Sequence, residues 1–179
     1  MKRHSLFVLF PLALTGWLSA CGGGTSPNNS GLQGTTLAEQ IKALEDSGQL
    51  PKLDRSRDIK GIDADNNGIR DDIDVWIAAQ PFSDAQKNAA RQSARVRQAE
   101  LLADLTDKSE LDRLGNLSMA SVKCLRLSFM PDYQQGYDLS GKIVALTANT
   151  KQRAKQYLAY NRAVSGSSGR LPEGNTCEP

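Results

Sequence analysis

Residues 61–77 read GIDADNNGIRDDIDVWI. Five aspartates stand between positions 63 and 74, after which the apolar residues Ile73, Val75, Trp76 and Ile77 take over. Short carboxylates bond nearby backbone N–H groups, and Asn and Gly tolerate positive φ, so the first part is turn chemistry. The apolar part opens a helix that Pro81 stops. A loop-to-helix junction therefore sits in the middle of the chain, and the reading extends outward from it in both directions.

Downstream, Ser83-Asp84-Ala85-Gln86 matches a capping box and opens a helix to about Leu105. Its first half is polar (QKNAARQSARVRQ, 86–98), and its second half supplies Val96, Leu101, Leu102 and Leu105. Arg91, Arg95 and Arg97 read as a solvated helix face. From Ser109 to Phe129, the residues Leu111, Leu114, Leu117, Val122, Leu125 and Leu127 predict another helix, which Pro131 ends. Asp138 or Ser140 then opens a long helix with Ile143, Val144, Leu146, Ala154, Tyr157, Leu158 and Val164, closing at Gly166. At this spacing Tyr157, Tyr160 and Trp76 read as core aromatics.

Upstream, Thr36-Leu37-Ala38-Glu39 is a second capping box, and a short helix from about Thr36 to Ser47 ends at Gly48 and Pro51. Residues 49–60 have no apolar period and read as loop. No segment alternates with the period of a strand. The expected fold class is all-α, a small helical bundle of about four to five helices with one acidic loop.

The N-terminus carries a different message. Lys2 and Arg3 precede the apolar run Leu6 to Trp17, which is too short to span a bilayer and reads as an export signal. It ends in Leu18-Ser19-Ala20-Cys21, which resembles the lipobox of bacterial lipoproteins. The resemblance implies cleavage before Cys21 and lipidation there. Several acyl chains give durable anchoring, at roughly 0.8 kcal/mol per buried methylene. Gly22, in place of Asp, resembles the signal for release to the outer membrane. The stretch GGGTSPNNSGLQG, Gly22 to Gly34, reads as a flexible tether with a reach of about 20 Å. The expected organisation is a signal over 1–20, a lipidated cysteine and linker over 21–34, and a helical domain over 35–179.

Losing that signal removes Lys2 and Arg3 from the 22 basic residues and leaves 20 against 20 acidic ones. Such a balance offers nothing to nucleic acid. It also removes His4, the single histidine, and with it Ser-His-Asp triads, Cys-His dyads and imidazole metal sites. Of three cysteines the lipid takes Cys21, so Cys124 and Cys177 form an even pair in an oxidising compartment, which predicts one disulfide. Closing such a loop stabilises by about 4 kcal/mol in the chain-entropy model, and pins the loop-like C-terminal tail.

The acidic stretch has calcium-loop spacing. With Asp63 at the first position, Asp65 falls at three, Asn67 at five, Gly68 at six, Ile69 at seven, Asp71 at nine and Asp74 at twelve. Calcium is a hard cation that takes six to eight oxygens, and alternating short side chains on a tight loop can point at one centre. Gly68 allows the sharp turn, and Ile69 can offer its carbonyl while burying its side chain. The run is similar to the loops of EF-hand and dockerin modules, and more closely resembles the calcium repeats of thrombospondin type 3 and related bacterial envelope proteins. The resemblance covers about twelve residues. It implies Asp63, Asp65, Asn67, Ile69, Asp71 and Asp74 as Ca2+ ligands, although Arg70 stands where an EF-hand prefers an apolar residue. No amphipathic helix precedes Asp63 and only one copy exists, so a structural calcium is expected, with a calcium sensor as the competing reading. Asp72 is expected outside the ligand set, favouring the first turn of the following helix.

The whole resembles small envelope lipoproteins of Gram-negative bacteria, a similarity that supplies no activity. The expected function is a non-enzymatic, lipid-anchored module, periplasmic or surface-facing, that binds another envelope or effector protein, as inhibitors, immunity proteins and accessory subunits do. The alternative is a calcium-dependent periplasmic enzyme acting on cell-wall or other glycan through carboxylates. Glycan hydrolysis needs a positioned pair, and Glu39, Glu45, Glu100, Glu110 and Glu173 are scattered without one.

Overall fold

A computed structural model describes residues 36–178. The expected export signal, the expected lipidation at Cys21 and the expected tether fall outside the described residues. The chain divides into a unit up to Gln40 and a second from Ile41. Among the described residues there are six helices and no strand: α1 (Leu37–Asp46), α2 (Asp71–Ala78), α3 (Asp84–Leu102), α4 (Lys108–Ser128), α5 (Tyr133–Thr147) and α6 (Lys151–Ala163).

In the first unit, Glu39 accepts from the Thr36 backbone N–H at 2.6 Å while the Thr36 hydroxyl accepts from Glu39 N–H at 3.3 Å, the predicted capping box. The second unit is organised around α3, which packs against α2, α4, α5 and α6. The Ser83–Gln86 capping box forms as predicted. The polar half of α3, expected to face solvent, is instead the centre of the bundle. Ala89, Ala90, Gln92, Ser93 and Ala94 are buried. Small side chains let neighbouring helices approach closely, and the long amides are consumed by chain that has no ladder of its own. Gln92 donates to Thr176 O at 2.9 Å and accepts from Glu178 N at 3.2 Å, and Gln98 donates to Lys60 O at 2.7 Å. The arginines follow suit: Arg97 is buried against Glu100, Arg91 pairs with Asp74, and Arg95 pairs with Glu178.

Six helices replace the four to five expected, because the predicted long C-terminal helix is two. Asp132 caps α5, accepting from Gln135 N, so this helix starts before Asp138. It ends at Thr147, and Thr150 caps α6 by accepting from Arg153 N. Neither Gly nor Pro marks this break, and only the Thr cap does. α3 also stops at Leu102, short of Leu105.

The main core joins Ile69, Ile73, Trp76 and Ile77 to Ala89, Ala90 and Ala94 of α3, Cys124, Leu125 and Phe129 of α4, and Leu139, Ile143 and Leu146 of α5. Gly136 sets the α4–α5 approach, since a Cβ there would lie 2.8 Å from Leu125 O. A smaller cluster holds Ala103, Leu111, Leu114 and Tyr160. Trp76 and Tyr160 are thus both core, in separate clusters. Lys142 sits 5.1 Å over the Trp76 ring. Cys124 and Cys177 form a disulfide, Sγ–Sγ 2.07 Å, and the tail is further tied by Thr176 Oγ1 donating to Ala120 O at 2.9 Å.

Candidate metal site

The acidic loop folds on itself through its own aspartates. Asp63 accepts from Asn67 N at 3.0 Å and Gly68 N at 3.1 Å, Asp65 accepts from Asn67 N at 3.2 Å, and Asp71 accepts from Ala64 N at 3.0 Å. Asp71 N returns to Ile62 O at 2.8 Å and closes the loop at its base. Asn66 at φ 57° and Gly68 at φ 81° make the two left-handed steps of the turn. The result brings one carboxylate oxygen from each of Asp63, Asp65 and Asp71 within 4.8 Å of the others. These three residues could hold a metal ion, which would replace mutual repulsion by ligation.

The other expected ligands stand differently. Asn67 borders the cluster, but its Oδ1 accepts from Ile69 N at 2.8 Å and its amide donates to Asp65 at 2.9 Å. Asp74 is 3.4 Å from the Asn67 amide through one oxygen, while the other accepts from Arg91 Nε at 2.7 Å. The Ile69 side chain is buried, as expected, and anchors the loop to the main core.

Sequence reasoning missed the basic half of this region. Arg70, with a fully buried side chain, donates through Nε and Nη2 to both Asp72 oxygens at 2.7 and 2.9 Å. It also donates to Leu146 O at 3.1 Å and Thr147 O at 3.2 Å, the carbonyl end of α5, where positive charge is favoured. Asp72 sits in the first turn of α2 as expected, and in addition accepts from Asp54 N at 2.6 Å. Gly61, at φ 70°, is required here: a Cβ would fall 2.4 Å from Arg70 Cδ.

Arg153 makes the second clamp. Its buried guanidinium donates to Asp54 O, Asp58 O, Ile59 O, Asn149 Oδ1 and Asp54 Oδ2 at 2.6–3.1 Å. Burial raises the Asp54 carboxyl's affinity for its proton, but the Ser56 and Arg153 donors outweigh it and hold the group below its ordinary 3.8. The only sequence signal was Arg70 itself, a charge in a loop position that elsewhere is apolar.

No protein-family model, curated protein or solved structure matches the chain. Among the described residues no helix is long and apolar enough to cross a membrane. Of the glutamates, Glu39 caps α1, Glu45 pairs with Arg55, Glu110 lies 3.9 Å from Arg113, and Glu100 is buried beside Arg97. Burial pushes the Glu100 carboxyl up, against the opposing Arg97 charge.

Proposed function

We propose that the chain is a lipid-anchored, calcium-binding module of a bacterial envelope, non-enzymatic, whose fold presents a surface to another envelope or effector protein. The reading rests on the convergence of Asp63, Asp65 and Asp71 within 4.8 Å on a loop with calcium spacing. Calcium is the favoured ion because all the donors are hard oxygens and no nitrogen or thiolate stands among them. The role of the ion is structural. It fixes the loop that delivers Ile69, Ile73, Trp76 and Ile77 to the main core. On binding, Asn67 would turn its carboxamide oxygen inward, and Asp74 would divide its two oxygens between ion and Arg91.

The anchor is read from the lipobox at Cys21. Two measurements test the proposal. Calorimetry on the full chain should show uptake of one calcium ion, and a concentration of about 100 times Kd should add about 2.7 kcal/mol of stability. Absence of uptake, or an unchanged response in Asp63→Ala, overturns the ion assignment. A crosslinked pull-down from intact envelopes, with calcium and with chelator, should return a stoichiometric protein partner, and glycan cleavage by the purified chain would sink the non-enzymatic reading.

A further inference from the structure

Away from the acidic loop, α3, α4 and α6 line a cleft of about 890 Å3, bordered on one side by Ser165 and residues 167–169. A volume of this size is that of a small-molecule or oligomer site. Its charged lining is balanced: Arg97 and Lys108 against Glu100 and Asp112. The first and third of these neutralise each other at the floor, with Arg97 Nη1 donating to Glu100 at 2.6 Å and Nη2 to Ser118 Oγ at 2.5 Å.

Two features of the lining are open to a ligand. Gly115 lies in the middle of α4, where glycine costs about 1 kcal/mol relative to alanine. A Cβ there would meet nothing within 4 Å, so packing does not require the glycine, and its bare backbone lines the cleft. The Tyr160 ring belongs to the smaller core cluster, while its hydroxyl has no hydrogen-bond partner in the protein and the residue lines the same cleft. An uncommitted phenol hydroxyl both donates and accepts. Burial, then the Glu100 charge, push this phenol up to about 12, so it stays a neutral donor at any physiological pH.

The remaining lining narrows the ligand. Asn116 and Asn161 face the cleft from α4 and α6 with side chains uncommitted to other protein groups. A carboxamide and a hydroxyl each donate and accept, as does every hydroxyl of a sugar, whereas a charged group does only one. Met119 and Leu111 add apolar surface for ring C–H faces. With no net charge to attract an ion, we propose that this cleft is a binding site for a neutral, polyhydroxylated ligand, a short oligosaccharide segment, lying against Gly115 and bonded by Tyr160, Asn116 and Asn161. The site is independent of the calcium loop and of the protein partner.

The test uses the full chain in a detergent that carries no sugar headgroup. Calorimetry is run with maltotriose, tri-N-acetylchitotriose and trialanine. One of the trisaccharides should bind at one site with Kd between about 10 µM and 1 mM. Gly115→Leu fills the cleft and should weaken that binding at least about tenfold while melting stays level or rises, since leucine is the better helix former. Tyr160→Phe, which removes a hydroxyl without a protein partner, should keep its melting temperature and lose about three- to tenfold in affinity. It also serves as the readout if Gly115→Leu does not fold. Absence of binding by both trisaccharides, or binding indifferent to Tyr160→Phe, overturns the proposal. Trialanine binding that Tyr160→Phe weakens would instead make the cleft a peptide site, and equally overturns it.

Discussion

Asp63 and Asp72 are close in sequence and treated in opposite ways. Asp72 is locked by a buried guanidinium and by Asp54 N, whereas Asp63, Asp65 and Asp71 accept from backbone N–H groups and the Asn67 amide, all uncharged donors, and face one another. The difference separates structural charge from available charge. A carboxylate with an internal cation is already neutralised, and one without it offers its lone pairs to a cation from outside.

The largest test of that contrast removes a cation from the committed side. Arg153→Ala strips donors from Asp54, Asp58 and Ile59 at once and should cost about 3–5 kcal/mol in denaturant unfolding, the penalty of a buried pair broken on one side. Retained stability would mean that residues 49–60 are held by something other than the clamp. Asp72→Asn should cost about 2–3 kcal/mol with chelator present, because Arg70 keeps its burial and loses its counter-charge. Asp63→Ala should behave conversely. Its cost in chelator should be smaller, about 1 kcal/mol for the two backbone N–H groups left without an acceptor, and it should lose the calcium-dependent rise in melting temperature.

Acid titration sharpens the same division. Asp54 has its folded-state pKa depressed, so its contribution is complete above the unfolded value near 3.8 and fades as pH falls through the lower folded value. The stability gap between the parent and Asp54→Asn, measured by chemical denaturation, should therefore be present at neutral pH and close in strong acid. A gap that widens on acidification has the wrong sign. Arg91→Ala has the smallest expected effect, under about 1 kcal/mol, because its pair with Asp74 is partly exposed. Because that change frees an Asp74 oxygen, calcium affinity in this variant should rise.

Much of the fold was legible where local chemistry is strong. Both capping boxes, the Pro81 and Pro131 stops and the helix after the acidic run follow from side-chain groups that bond their own neighbourhood. The break between α5 and α6 was not, since Thr150 is a weak signal against a continuing apolar period, and the turn is held by Arg153 bonding chain more than ninety residues away. The burial of polar α3 was illegible for a related reason. Amphipathic patterning assumes that polar residues meet water, and here Gln92 and Gln98 meet the unpaired backbone of the tail and of the loop.

In the candidate site, spacing alone singled out Asp63, Asp65 and Asp71 because a tight loop turns sequence distance directly into spatial distance. It also gave Asn67, Ile69 and Asp74 as ligands, without showing that Asp74 already answers to Arg91, seventeen residues on. The clamps at Arg70 and Arg153 and the cleft beside Gly115 and Tyr160 exist only once helices have packed, since each joins residues whose proximity no local rule encodes. Sequence by itself determined the two capping-box starts, the acidic turn and the choice of oxygen donors, all short-range effects. The tertiary structure decided which charges are spent inside the protein and which remain to meet a ligand, because burial and pairing are properties of the packed chain.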